Sequence, residues 1–188
     1  GPGCEKAVAG IDTCAGDTTS PNYIPCTQTD SDPMDMSGHG TYVAGIIAST
    51  DATYRGIAPA SHIGAVKVIG PTGITLTSLA QGIDWCTQNS TQYNFRVINL
   101  SLGGSEVYSG NECPNYLQPA IQAALNKVRS VVAAAGNTSF YFGTHYPACE
   151  EGVISVAATL DVPSSPTLQV YNACSQSPWS TDDVACFS

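Results

Sequence analysis

The sequence predicts an α/β fold in which a mostly parallel sheet is covered by helices. Short apolar segments rich in Val, Ile and Ala alternate along the chain with segments whose apolar residues recur at helical spacing. The apolar segments are continuous rather than alternating, which is typical of parallel strands buried on both faces. The length of 188 residues fits a single domain, expected to span residues 1–188.

The first half of the chain predicts two strands and two helices. We expect strands over 6–12 and 62–69, separated by a polar loop at 13–36 and an apolar helix at 39–49. Thr75 is placed to cap a second helix that runs to about Gln88. The shared apolar face of that helix consists of Leu76, Leu79, Ala80 and Ile83.

The second half repeats the alternation. Strands are predicted over 96–102, 131–135 and 153–158, with a helix over 116–127 between the first two. From Asp161 onward the sequence is polar and contains three prolines, so we expect irregular structure there: Pro163, Pro166 and Pro178.

Charge and hydropathy exclude several classes of partner. The chain has 15 acidic against 6 basic residues and a formal net charge of −9. Nucleic acids and anionic membranes are bound through basic patches, so neither is expected as a partner. No apolar run is long enough to span a bilayer.

Eight cysteines predict disulfides and an oxidising, extracellular environment. No Cys-x-x-Cys pair occurs, so their spacing does not favour zinc. An even count without metal spacing favours disulfides, and buried free thiols are the alternative. The pairing is left open among Cys4, Cys14, Cys26, Cys86, Cys113, Cys149, Cys174 and Cys186.

Three polar residues stand where α/β proteins place their sites. Asp12 and Asn137 each end an apolar strand, and His39 begins a helix between two glycines. The carboxyl ends of parallel strands meet at one edge of a sheet, where ligands bind. Taken singly, each residue has an ordinary structural explanation: a turn Asp, a structural His, or an Asn in a left-handed turn.

Nine short segments, taken together and in order, resemble the subtilisin-like serine proteases. They include Val-Ala-Gly-Ile-Asp-Thr at 8–13, Gly-His-Gly-Thr-Tyr-Val-Ala-Gly at 38–45, Val-Ile-Asn-Leu-Ser-Leu-Gly-Gly at 97–104 and Ala-Ala-Gly-Asn at 134–137. The remaining five lie at 56–61, 65–68, 82–85, 146–148 and 153–158. The resemblance implies a three-layer α/β/α fold with a mostly parallel sheet, of which residues 1–188 form the N-terminal part.

The resemblance also implies a role for each candidate residue. Asp12 would orient His39, the general base that takes the serine proton, and the Asn137 amide would stabilise the oxyanion. An extended peptide substrate would pair with the backbone of Ser101, Leu102, Gly103 and Gly104. No organic cofactor is implied.

The chain departs from the family pattern in one major respect. No Gly-Thr-Ser segment of the kind that carries the family's nucleophile occurs before Ser188. We expect the serine on a continuation or a companion chain, and residues 1–188 alone to be inactive. The alternative is a non-catalytic domain of this family that serves as a structural or assembly module.

The sequence predicts a glycosylation site but identifies no calcium site. Asn89-Ser90-Thr91 is a glycosylation sequon in a polar stretch, and Asn89 is the predicted glycan site. The region between Gly45 and Pro59 is shorter than in family members that carry a calcium loop there. The sequence therefore does not favour calcium at that place. Calcium elsewhere in the domain is left open, because the sequence identifies no ligands for it.

Overall fold

The computed structural model describes residues 7–13, 33–35, 37–70, 73–109, 112–140, 142–159, 182 and 184–186. Of residues 168–170 and 174–176 it describes the backbone. The chain forms two compact units, Gly1–Arg96 and Val97–Ser188.

The first unit contains a parallel strand pair and two helices. Strand β1 (Ala7–Asp12) pairs in parallel with β2 (Ile63–Lys67), and the register sets Asp12 opposite Lys67. Helix α1 (His39–Ala48) lies between them in sequence, and helix α2 (Leu76–Tyr93) packs on both strands. Two strands of two residues each, β3 (Ile69–Gly70) and β4 (Gly73–Ile74), form an antiparallel pair before α2.

Helix α2 is fixed at its start by a capping box. The Thr75 side chain accepts from the Ser78 N–H, and the Ser78 side chain accepts from the Thr75 N–H. Leu79 and Ile83 turn inward and are 3% and 1% exposed. Gly82 lets the helix approach the sheet, since a Cβ there would lie 2.7 Å from Val68 Cγ1.

Helix α2 continues past the predicted end near Gln88. The polar residues 89–91 were expected after the helix, yet they remain helical because aromatic rings hold the last turn. The Trp85 and Phe95 ring centroids are 5.9 Å apart, and those of Tyr93 and Phe95 are 5.5 Å apart. The helix ends at Asn94, whose φ of 56° is left-handed.

The second unit is built on a three-stranded parallel sheet. Its order is β5 (Val97–Leu100), β7 (Ser130–Ala134) and β9 (Val153–Val156). Helix α3 (Gln118–Leu125) packs on β7, and Ile121, Ala124 and Val131 are fully buried at this contact. These residues form the core of the unit.

Two short antiparallel pairs complete the second unit. Strand β6 (Val107–Tyr108) pairs with β8 (Thr144–His145), and β10 (Leu168–Val170) pairs with β11 (Cys174–Gln176). The α/β class with mostly parallel strands is confirmed. The short pairs were not predicted because two or three residues carry no readable periodicity, and β10 and β11 fall where irregular structure was expected.

The structure joins Cys113 and Cys149, 36 residues apart, and Cys186 is also disulfide-bonded. Cys86, one of the eight cysteines for which the sequence favoured disulfides, is a free, largely buried thiol on α2 and matches the alternative instead. Burial raises the pKa of the Cys86 thiol to about 11. Cys4, Cys14 and Cys26, together with the Cys174 side chain, lie outside the described residues.

Candidate functional site

Asp12 ends β1 and is 3% exposed. The next residue anchors this strand end: the Thr13 N–H donates to the Lys67 carbonyl at 2.9 Å. The Thr13 hydroxyl donates to the Ser78 carbonyl at 2.8 Å. The position of Asp12 is thus set by β2 on one side and by the start of α2 on the other.

Lys67 is a residue of this site that sequence reasoning missed. Its Nζ lies 2.9 Å from Asp12 Oδ2, and both side chains are largely buried. The signal was a single Lys in an otherwise apolar strand, but only the parallel register shows that it faces Asp12. The expected hydrogen bond from His39 stays a prediction.

His39 is the first residue of α1, as predicted, and its side chain is exposed. Gly38 precedes it with a left-handed φ of 84°, a conformation that favours glycine. The helix has no side-chain cap at Gly38 itself. This leaves the first backbone N–H groups of α1 to be satisfied from elsewhere in the chain.

The Asp35 carboxylate binds one of those N–H groups, that of Thr41, and two in the turn just before the helix. It accepts from the N–H groups of Ser37 (2.9 Å), Gly38 (2.8 Å) and Thr41 (2.8 Å), and from the Thr41 hydroxyl at 2.8 Å. These bonds, led by those from Thr41, lower the pKa of Asp35 to about 2. Asp35 was also missed, because an Asp three residues before the helix cap has no fixed sequence signature.

Asn137 lies in a loop of unusual backbone geometry that follows β7. We call residues 136–139 the Asn137 loop. Gly136 has φ of 132° and Ser139 has φ of 61°, so left-handed conformations flank Asn137 and Thr138. The Asn137 side chain is exposed. Such backbone strain concentrates at binding and catalytic sites.

Residues Ser101–Gly104, the wall segment, follow β5 and are anchored at their last residue. The Gly104 N–H donates to the Tyr146 carbonyl at 2.8 Å. The Gly104 carbonyl lies 2.6 Å from His145 Nδ1. Gly103 and Gly104 are exposed, so the outer edge of the segment is open.

His145 lies between the strands predicted over 131–135 and 153–158, and the structure places it in the short strand β8 with 6% exposure. Besides Gly104, its ring contacts Thr138, whose Oγ1 lies 2.8 Å from Nε2. An open cavity of about 330 Å³ lies beside it, lined in part by Ala135, Gly136, Thr138 and Ser155. No sequence signal distinguished His145, since burial and both hydrogen bonds arise from tertiary contacts.

A buried carboxylate supports the segment that follows His145. Glu150 is 2% exposed and accepts from the Leu117 N–H at 2.9 Å and the Tyr146 hydroxyl at 2.7 Å. Burial and the contact with Glu150 raise the pKa of Tyr146. Glu150 therefore fixes Tyr146, whose carbonyl in turn binds the wall segment.

The predicted glycan site lies on a helix. Asn89 is part of α2, and its Nδ2 donates to the Trp85 carbonyl at 2.9 Å. A glycan at Asn89 stays a prediction, and attachment there requires the amide to release that carbonyl.

Across the described residues, no group of three or more His, Cys, Asp or Glu side chains is arranged to hold a metal ion. In the segment between Gly45 and Pro59, the Asp51 carboxylate instead accepts from the N–H groups of Thr53 and Tyr54, both at 2.8 Å. None of the helices within these ranges has the length and apolar character needed to cross a bilayer.

Comparison with known proteins places these residues in a family. The chain is 42% identical over 127 residues to the thermostable alkaline protease of Halalkalibacterium halodurans, covering 66% of this chain and 32% of that protein. It is 40% identical over 134 residues to thermitase of Thermoactinomyces vulgaris, covering 69% and 44% respectively. The chain thus spans less than half the length of these curated relatives.

Solved structures agree with the sequence comparison. Sphericase superimposes with a TM-score of 0.63 at 26% identity, covering 95% of this chain and 50% of that one. The model of the subtilase family (peptidase S8) matches residues 12–186, a range that includes Asp12, His39, the wall segment and Asn137. The chain belongs to the subtilase family.

Proposed function

We propose that residues 1–188 form part of the catalytic domain of a secreted serine endopeptidase that hydrolyses peptide bonds in extended polypeptides. The observation that carries the proposal is the position of three polar side chains. Asp12 ends a parallel strand, His39 begins a helix, and Asn137 follows another parallel strand. Their sequence contexts are the ones that resemble the subtilisin triad and oxyanion site.

Each residue has a defined chemical task in this proposal. The nucleophile is a serine outside residues 1–188, on a continuation or a companion chain. His39 takes the serine proton and returns it to the leaving amine, and Asp12 holds the imidazole in the required tautomer. The exposed Asn137 amide donates to the oxyanion of the tetrahedral intermediate.

The structure supports tasks for two further residues. Lys67 holds one oxygen of Asp12 and so fixes the carboxylate at the buried end of β1. Asp35 orders the backbone around His39 through bonds to Ser37, Gly38 and Thr41. Neither contacts substrate in this proposal, so both are positioning residues.

Substrate would add to the wall segment as an extra strand. Residues 101–104 continue from β5, and Gly103 and Gly104 are exposed. Peptides commonly bind by extending a sheet edge through backbone hydrogen bonds. Recognition through the backbone fits a peptide or protein substrate.

Secretion is part of the same proposal. Eight cysteines, of which Cys113 and Cys149 form a disulfide, fit an oxidising compartment better than the cytosol. A glycan at Asn89 would accompany secretion in a eukaryotic host.

A serine-directed phosphonate probe tests the function. The intact protein should be labelled on a serine outside residues 1–188, and residues 1–188 alone should not be labelled. Loss of a triad nucleophile removes about as much rate as loss of the whole triad. An intact protein that retains the serine but does not react would refute the protease proposal and favour the structural-module alternative.

Substitutions assign the individual roles. We expect Asp12→Asn to lower kcat about 10⁴-fold, and Asn137→Ala to lower it about 10²–10³-fold. His39→Ala should abolish labelling. The control is His62→Ala, the same change at an exposed histidine just before β2, and it should leave kcat unchanged. Equal activity of His39→Ala and His62→Ala would remove His39 from the mechanism.

A further inference from the structure

We propose that His145 is a positioning residue that couples the wall segment to the Asn137 loop through its two ring nitrogens. The inference rests on the proposed function and adds to it His145, which has no role in that proposal so far. It also assigns each ring nitrogen a separate effect, one on substrate binding and one on turnover.

The hydrogen bonds determine the tautomer of His145. A carbonyl oxygen only accepts, so Nδ1, 2.6 Å from the Gly104 carbonyl, carries the proton. In the neutral ring Nε2 is then an acceptor, and the Thr138 hydroxyl donates to it at 2.8 Å. A single imidazole thus joins the last residue of the wall segment to the residue after Asn137.

The ring has little freedom to leave this position. His145 is 6% exposed, and its N–H donates to the Ala135 carbonyl at 2.8 Å. Its ring lies against Gly136, where a Cβ would come 1.8 Å from Cδ2. Backbone pairing with Val107 holds the strand from the other side. The imidazole therefore acts as a rigid spacer between the two segments.

Each bond controls a different step of the proposed reaction. The Gly104 bond orients the backbone against which substrate would pair, an interaction already present in the bound ground state. The Thr138 bond fixes the loop that presents the Asn137 amide, which is needed where negative charge develops in the transition state. Loss of the first should raise KM, and loss of the second should lower kcat.

Two amide substitutions separate the bonds. The His145→Asn amide nitrogen takes the place of Nδ1 and keeps the Gly104 bond, but it does not reach Thr138. The His145→Gln amide reaches the place of Nε2 and keeps the Thr138 bond, but it loses Gly104. We expect Gln to raise KM about fivefold with kcat within twofold, the effect of one hydrogen bond.

We expect His145→Asn to lower kcat about tenfold to a hundredfold at nearly constant KM, because small displacements of catalytic groups have effects of this size. Thr138→Val should reproduce that loss, and Thr138→Ser should restore activity. In a double variant, Thr138→Val should add little to His145→Asn. His62→Gln is the matched control, since it makes the same change at an exposed histidine outside the site.

The experiment uses the intact protein, with steady-state kinetics on a peptide substrate and a thermal melt of every variant. A fall in kcat and a rise in KM of equal size in both amide variants would overturn the inference, because that is the result of general loosening. A reactive wild type with an unchanged His145→Phe variant also overturns it, while leaving the protease proposal intact. A wild type that ignores the phosphonate probe refutes the protease proposal and the coupling role together.

A measurement without turnover tests the geometry itself. The Nδ1–H proton of His145 should give a protected NMR resonance that persists in Thr138→Val and is lost in His145→Gln. A ring protonated only at Nε2 would contradict the proposed coupling.

Discussion

Asp35 allows a direct test of how the His39 region is held. Its carboxylate accepts four hydrogen bonds at the start of α1, three from backbone N–H groups and one from the Thr41 hydroxyl. Asp35→Ala removes all of them and leaves the helix start to water. Asp35→Asn is the matched control, because it keeps an acceptor oxygen of similar reach but carries no charge.

The size of the effect follows from ordinary capping energies. Loss of a helix cap destabilises by about 1 kcal/mol, and loss of the negative charge at the N-terminus adds about 0.3–1 kcal/mol. We therefore expect Asp35→Ala to make the opening of α1 about ten to thirty times more frequent. Asp35→Asn should have a smaller effect.

The stabilisation of α1 by Asp35 depends on pH in a defined direction. Hydrogen bonding lowers the pKa of Asp35 from 3.8 to about 2 in the folded state. A lowered carboxyl pKa stabilises the fold above the unfolded pKa, and that stability is lost as pH falls through the folded pKa. The difference between wild type and Asp35→Ala should be complete above about pH 5 and shrink between pH 4 and 2.

Hydrogen exchange of the α1 amides in the intact protein measures how much Asp35 stabilises the helix. The readout is the ratio of amide protection in the variant to that in wild type at each pH. Equal protection of α1 in wild type and Asp35→Ala at pH 7 would refute the capping argument. A ratio that stays constant down to pH 2 would show that charge plays no part. The ratio between Asp35→Asn and Asp35→Ala should not vary with pH, because neither side chain titrates.

Three further outcomes are expected. Thr13→Val should lower the free energy of unfolding by about 1–2 kcal/mol in urea, because the buried Ser78 carbonyl loses its 2.8 Å donor; Thr13→Ser should recover most of the loss, and an unchanged urea midpoint would contradict this role. Replacing both Cys113 and Cys149 by Ala should lower the free energy of unfolding by about 3–4 kcal/mol, because the disulfide closes a loop across a separation of 36 residues. Reductant should then lower the stability of the variant less than that of wild type. Since burial raises the pKa of Cys86 to about 11, native alkylation at pH 8 should be roughly a hundredfold slower than for an ordinary thiol; rapid native labelling of Cys86 in a peptide map would contradict its burial.

Local sequence predicted the elements and residue contexts that local chemistry decides. Glycines around His39 and an apolar run after it predicted the start of α1, and the capping residue Thr75 predicted the start of α2. Lys67 opposite Asp12 was not predictable, because it depends on which strands pair and in what register. The burial of His145 depends equally on tertiary packing.

The end of α2 shows the same division between local and tertiary effects. Residues 89–91 are polar and lack a clear helical stripe, so local preference placed them after the helix. The contacts of Trp85, Tyr93 and Phe95 keep them helical. The free Cys86 lies just before this stretch, and the sequence offered only an even cysteine count as a guide to its state.

The Cys113–Cys149 bond also determines how the molecule would respond to proteolytic cleavage. Helix α3, β7 and the Asn137 loop all lie between the two cysteines, as do Phe140 and Phe142, which are 54% and 82% exposed. A cut at these exposed residues would leave both fragments covalently joined. A nicked protein would therefore migrate as a single species on a non-reducing gel and separate into two only after reduction, so such cleavage is invisible without reductant.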